Sequence, residues 1–210
     1  MQSISEDRGI ALLANDDINV LSLGISTAGI AEIRMARQNT NRRIIATTID
    51  KRGLEYTNEL VKKHNFENQI ELKYEDVCKP FPYKDNYFDY VYSRNCFHYV
   101  DNKGMNNVLS EIYRVLKPKH KAFIVVHTPK ILETSSDIEY DEETGFTKHT
   151  RRDEIRYRRF YTEEELIELA KRYGFKIVST AIYDELCCRD YKRKKPSEKP
   201  VELLEIVLEK

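Results

Sequence analysis

The sequence predicts an α/β fold built on a doubly wound, parallel sheet, and three observations predict it. The first is the stretch from Asn19 to Asp50: a short apolar run, a turn of small residues, a helical run, and a second apolar run that ends in an acid. Buried parallel strands read as continuous apolar runs, a tight turn needs glycine, and the helix supplies the crossover. The second is that strand and helix patterns keep alternating as far as about Val126, which calls for parallel strands joined by right-handed crossovers. The third is size. With 210 residues, 40% of them hydrophobic, the chain has enough apolar material for one core and is most simply a single domain over 1–210. In such a sheet the ligand crevice lies at the carboxyl ends of the strands.

Taken in order, residues about 4 to 14 read as a short amphipathic helix with Ile10, Leu12 and Leu13 on its apolar side. Ile18 to Leu23 is the first strand. Ile30, Ile33, Met35 and Ala36 give the next helix its inner face, and Asn39-Thr40-Asn41 stops it. Ile44 to Ile49 is a strand, Gly53 to His64 a helix, and Ile70 to Tyr74 a third strand. The prolines at 80 and 82 mark a loop, which leads to a fourth strand around Phe88 to Ser93. A helix from about Lys103 to Leu116 is broken by Lys117-Pro118, and Ala122 to Val126 is a fifth strand. Thr162 caps a further helix with Glu163, Glu164 and Glu165 in its first turn. Lys176 to Tyr183 and Val201 to Leu208 are the last strands, joined by a basic loop at Lys192 to Lys199.

The first turn admits three readings. Gly24, Ser26 and Gly29 fit the G-x-G-x-x-G dinucleotide fingerprint with its middle glycine replaced, and Gly24 to Ala28 is a loosened G-x-S-x-G nucleophile elbow. The third reading is a βα turn that binds nothing. An elbow serine normally follows several strands, whereas only one precedes Ser26, and the turn residue nearest a pyrophosphate should be glycine. Asp50 stands where an acid would accept from ribose hydroxyls, although a strand-end acid also caps the following turn.

Composition excludes some partners. Lys+Arg and Asp+Glu number 35 each, so no global field draws the chain to nucleic acid or membrane, and DNA is not an expected partner. Met1 to Ile10 is polar, and no apolar run approaches the roughly 20 residues of a membrane span, so a cytoplasmic location is expected. Cys78, Cys96 and the pair Cys187-Cys188 lack metal-ligand spacing, and no metal site is expected.

Five segments together resemble the class I S-adenosylmethionine-dependent methyltransferases, in the manner of the type 11 group. They are Val20-Leu21-Ser22-Leu23-Gly24, Thr48-Ile49-Asp50, Glu75-Asp76-Val77, Phe88-Asp89-Tyr90-Val91, and Glu111 to Pro118. The resemblance covers residues 15 to 210 and implies a seven-stranded, mostly parallel sheet with an antiparallel last strand between the fifth and sixth, and helices on both faces. It implies S-adenosyl-L-methionine as cofactor. Gly24, Ser26 and Gly29 would wrap its methionine moiety and ribose, and Asp50, with Lys51 beside it, would hold the ribose hydroxyls. Asp76 would accept from the adenine amine, with Val77 against the ring, and Ser93 and Arg94 would face cofactor and substrate. His98, five residues beyond the fourth strand, is the candidate general base; a packed or capping imidazole is the alternative.

The family usually has an acid where this chain has Ser22 and glycines where it has Ser26 and Ala28. On sequence alone, restoring Asp at 22 and Gly at 26 should tighten cofactor binding. Between the fifth strand and the last helix, about 128–161 reads as a substrate lid with an acidic half, Glu133 to Glu143, and a basic half, Lys148 to Arg159. Arg156, Arg158, Arg159 and Tyr161 are the candidate substrate residues, opposite a phosphate or carboxylate; the alternative is a charge-paired, solvated hairpin. Arg159-Phe160-Tyr161-Thr162 also resembles methyltransferases acting on wobble uridine in tRNA. The expected function is therefore methyl transfer to a small molecule or RNA, with a protein partner subunit allowed. The second function is a catalytically silent, methyltransferase-like binding or scaffold protein.

Overall fold

The computed structural model describes residues 3–25, 29–151, 153–186, 197 and 199–210. Ser3 accepts from the Glu6 N–H at 3.2 Å and starts α1 (Ile4–Ala11), which is shorter than its apolar pattern suggests. The alternating segments become β1 (Asn19–Leu23), α2 (Ile30–Gln38), β2 (Arg43–Thr48), α3 (Lys51–Lys63), β3 (Ile70–Tyr74), β4 (Phe88–Arg94), α4 (Asn102–Val115) and β5 (Leu116–His127). Three short strands follow, β6 (Ser136–Tyr140), β7 (Thr147–Arg151) and β8 (Glu154–Arg158), then α5 (Glu163–Arg172), β9 (Lys176–Glu185) and β10 (Val201–Glu209).

Seven strands form one sheet in the order β3-β2-β1-β4-β5-β10-β9. β1 pairs in parallel with β2 and β4, and β10 runs antiparallel to both β5 and β9, as the resemblance implies. Strand alternation sends Leu21, Leu23 and Val91 to one face, under α4 and α5, and Val20, Tyr90 and Tyr92 to the other, under α1, α2 and α3. Strand order reverses between β1 and β4, so their carboxyl ends diverge into a crevice.

Two of the segments that carry the resemblance act as struts. Asp89 accepts from the N–H groups of Ile18 and Asn19 at 3.0 and 2.7 Å and from Lys117 at 2.5 Å, fixing the start of β1 against β4. Arg114 donates to Glu111 and to the carbonyls of Phe81 and Tyr83, tying α4 to the proline loop.

Beyond the shorter α1 and an α3 that begins at Lys51 rather than Gly53, the structure departs from the sequence expectation in two more segments. β5 begins at Leu116 rather than Ala122, because Lys117 and Pro118 leave the helix in extended conformation and Leu116 pairs with Phe88. The segment expected as a substrate lid, with a charge-paired hairpin as the alternative, holds a three-stranded antiparallel sheet, β6-β7-β8. Its local ion pairs, Lys148 with Glu139 and Arg156 with Glu154, are those of the charge-paired alternative, but alternation also turns Thr147 and His149 inward. Most of the basic loop, with Lys192 to Lys195, and the pair Cys187-Cys188 lie outside the described residues. No helix among the described residues is long and apolar enough to cross a membrane.

Candidate cofactor crevice and lid

A crevice of about 350 Å³ opens at the carboxyl ends of the central strands, lined by Gly24, Asp50, Asp76, Val77, Cys96 and Tyr99 among others. A second hollow of about 200 Å³, under the proline loop, shares Glu75, Asp76 and Val77 with it. Gly24 has φ +73°, and a Cβ there would run into the Cys96 side chain; Gly29 has φ +86°, and a Cβ there would run into Thr57 of α3. Each glycine is required twice over, by its left-handed backbone and by a close neighbour. Ser26 lies outside the described residues.

Asp50 caps α3, its Oδ1 accepting from the Gly53 N–H at 3.2 Å, and it also lines the crevice. The capping and ligand-binding readings of this acid therefore coexist. Asp76 closes a turn by accepting from the Cys78 N–H at 2.9 Å and borders both hollows. Lys51 begins α3 with its ammonium 5.6 Å from the centre of the Tyr74 ring. Ser93 is buried and donates to the Leu23 carbonyl at 3.1 Å, joining the ends of β1 and β4. Arg94 is buried too, but its guanidinium donates to Glu185 of β9 at 2.5 Å and to Ser5 of α1. Those contacts tie the end of β4 to the N-terminal helix.

The residue that sequence reasoning missed is Glu32. It is fully buried in the first turn of α2, where the helix dipole favours an acid, and Ser22 donates to its Oε1 at 2.5 Å. Its Oε2 has no partner among the described residues, and burial, only partly opposed by the Ser22 bond, pushes the carboxyl up to about 7. The strand position at which the family carries an acid thus holds a hydroxyl that bonds an acid supplied by the next helix. The signal available was Glu32 between two inward residues, Ala31 and Ile33.

Beyond β4, a 3₁₀ turn (Phe97–Tyr99) carries His98, which is buried and stacked on His127 with ring centres 4.1 Å apart. Burial, then His127 and Arg158, pull its pKa well below 6.5, and its Nδ1 has no partner among the described residues. An imidazole so placed is neutral through the physiological range and a weak proton acceptor. Of the lid candidates, Arg159 is buried, donates to Glu165 and to the Gly145 carbonyl, and lies 4.8 Å from the centre of the Tyr161 ring. Tyr161 packs in the core beneath α5. Arg156 pairs with Glu154 at 2.6 Å, and Arg158 lies 4.1 Å from the centre of the Tyr99 ring at the crevice mouth. Among the described residues no group of three or more His, Cys, Asp or Glu side chains could hold a metal ion.

The cradle at Gly24 and the two acids at the ends of β2 and β3 fit a nucleoside with free ribose hydroxyls and an exocyclic amine. Residues 20–119 match a family model described as a methyltransferase domain. No curated protein matches the sequence. Among solved structures, an S-adenosylmethionine-dependent methyltransferase of Methanosarcina mazei is 17% identical, with 95% of each chain covered and a TM-score of 0.69. One of Mesorhizobium loti is 14% identical, with 98% of each chain covered and a TM-score of 0.69. The (4+2)-cyclase SpnF is 15% identical over 98% of this chain and 80% of its own, with a TM-score of 0.68. At such identities the structures speak to the fold alone. With its strand order, its crevice at the reversal point and a methyltransferase-domain match over residues 20–119, just under half of the chain, the protein is similar to S-adenosylmethionine-dependent methyltransferases and shares their fold.

Proposed function

We propose that the protein transfers the methyl group of S-adenosylmethionine to an acceptor, a small molecule or RNA, held between Tyr99 and the lid. The observation that carries this reading is that Gly24, Asp50 and Asp76 line one crevice at the point where strand order reverses. Asp50 would accept from the ribose hydroxyls and Asp76 from the adenine amine, with Val77 against the ring. Bound there, the cofactor supplies a methyl carbon already activated by its sulfonium, so the chain's part is to orient the acceptor and exclude water. The residues lining the slot would aim the acceptor's lone pair at that carbon, in line with the bond to sulfur that would break, and leave a way out for any proton on the acceptor. His98, being neutral and a weak acceptor, supports a part in shaping the slot rather than storing that proton.

The test is calorimetric titration of S-adenosylmethionine and S-adenosylhomocysteine into the full chain, with Asp50→Asn as control. Micromolar binding, weakened at least tenfold in the variant, supports the reading. No binding at millimolar cofactor overturns it in favour of the scaffold protein. Because SpnF shares the fold yet is named a cyclase, appearance of labelled methyl in a product is the second readout.

A further inference from the structure

Arg158 differs from three neighbouring cations, Lys148, Arg156 and Arg159. Lys148 pairs with Glu139, Arg156 with Glu154 and Arg159 with Glu165, whereas Arg158 makes no ion pair among the described residues. Its Nη1 donates to the carbonyl of its own neighbour, Tyr157, at 2.7 Å. The groups acting on it are Tyr99 and Arg156, with no carboxylate among them, and burial lowers its pKa from 12.5. A partly desolvated guanidinium without a counterion is costly unless a ligand supplies one.

Its position is built rather than incidental. The Arg159 N–H donates to the His98 carbonyl at 3.0 Å and the Tyr161 N–H to the His127 carbonyl at 3.1 Å. These bonds lay the end of β8 across the carboxyl ends of β4 and β5. They set Arg158 over Tyr99, whose ring is 59% exposed and lines the cofactor crevice. Below lie His98, with its orphaned Nδ1, and His127, pushed down to about 3 by burial and then by Arg158. The imidazoles take no positive charge of their own, so the positive charge here comes from guanidinium groups, and Arg158 is the one that lies over the Tyr99 ring.

Resting on the methyltransferase reading above, we infer that the methyl acceptor is a small molecule bearing a carboxylate or phosphate group, which Arg158 receives beside Tyr99 at the mouth of the crevice. The planar fork of arginine matches either oxyanion with two parallel hydrogen bonds. A polyanion such as RNA needs an extended basic track, whereas β6, at the other edge of the same small sheet, exposes Asp137 and Glu139.

The experiment saturates the full chain with S-adenosylhomocysteine and then adds inorganic phosphate, succinate, or a single-stranded oligonucleotide. It follows the ring proton shifts of His98 and His127 by nuclear magnetic resonance. A saturable shift with phosphate or succinate is expected, and which of the two binds more tightly identifies the oxyanion. Arg158→Gln should weaken that binding at least tenfold while homocysteine-cofactor affinity stays within threefold; Arg158→Lys, which keeps the charge without the fork, should fall between. If the glutamine variant fails to bind cofactor, the lysine variant decides. Cofactor binding with no anion response, or equal responses in wild type and variants, overturns the inference. An oligonucleotide bound more than tenfold tighter than either small anion overturns it in favour of RNA. Failure of the cofactor itself to bind overturns the methyltransferase reading as well, and is seen before any anion is added.

Discussion

Arg94 at the end of β4 donates to Glu185 at the end of β9 across 2.5 Å, with both side chains buried and Ser3 and Ser5 of α1 bonded to the same carboxylate. This pair closes the sheet's far edge onto its centre through the N-terminal helix. Removing one partner strands the other, so Glu185→Ala should cost about 3–5 kcal/mol in chemical denaturation. Burial pushes the Glu185 carboxyl up, but Arg94 and the serine bonds outweigh it and leave its pKa below 4.5. Its stabilisation is therefore present above the unfolded pKa and lost as pH falls through the folded one. An alanine variant as stable as wild type at pH 7 would refute the strut.

Glu32 carries the opposite sign. With the folded carboxyl raised to about 7, its contribution is present below the unfolded value of 4.5 and disappears as pH rises through 7. Wild-type stability should fall between pH 5 and 8, and Glu32→Gln should remove that slope, gaining on the order of 2–3 kcal/mol at pH 8. A slope unchanged in the variant would assign it to other groups.

Ser22→Asp, which sequence alone expects to tighten cofactor binding, is predicted to do the reverse. Ser22 already touches Glu32 at 2.5 Å, and a second carboxylate there meets the first inside the core. The single variant should lose both stability and cofactor affinity, and pairing it with Glu32→Gln should restore them. Calorimetry and thermal melts on the two variants check this; a single variant that binds better than wild type would return the argument to the family pattern.

Asp50 separates cap from ligand. Asn also caps helices well, so Asp50→Asn should change stability by only a few tenths of a kcal/mol, whereas Asp50→Ala should cost about 1 kcal/mol. Both should weaken cofactor binding by roughly 10–100-fold, the worth of a charged hydrogen bond. Equal stability of the two variants would remove Asp50 from the cap, and undiminished affinity would remove it from the site.

Much of the frame was legible because its signals are local. The apolar run at Val20 to Leu23, the acid at Asp50 and the helix ending at Val115 each declare themselves within a few residues, and together they order the sheet. What escaped depends on distance. A glutamate in a helix normally faces water, and only the hydroxyl of Ser22, ten positions away, turns Glu32 inward. Arg94 read as a ligand-facing residue because its partner, Glu185, lies 91 positions on. The lid strands were half visible: Glu154 to Arg158 alternates charged with apolar residues, but the charges suggested pairing before pleating.

The two backbone bonds, from Arg159 to the 3₁₀ turn beyond β4 and from Tyr161 to the end of β5, give the segment proposed as a lid a riveted border. Its opposite limb, Pro129–Thr134, buries no residue and is tacked to β10 by the exposed Lys130–Glu202 pair. A flap fastened along one side and loose along the other peels from the loose side. On the proposed reading, traffic into the slot would pass by Pro129, and amide exchange at 159 and 161 should lag well behind that at 130–134.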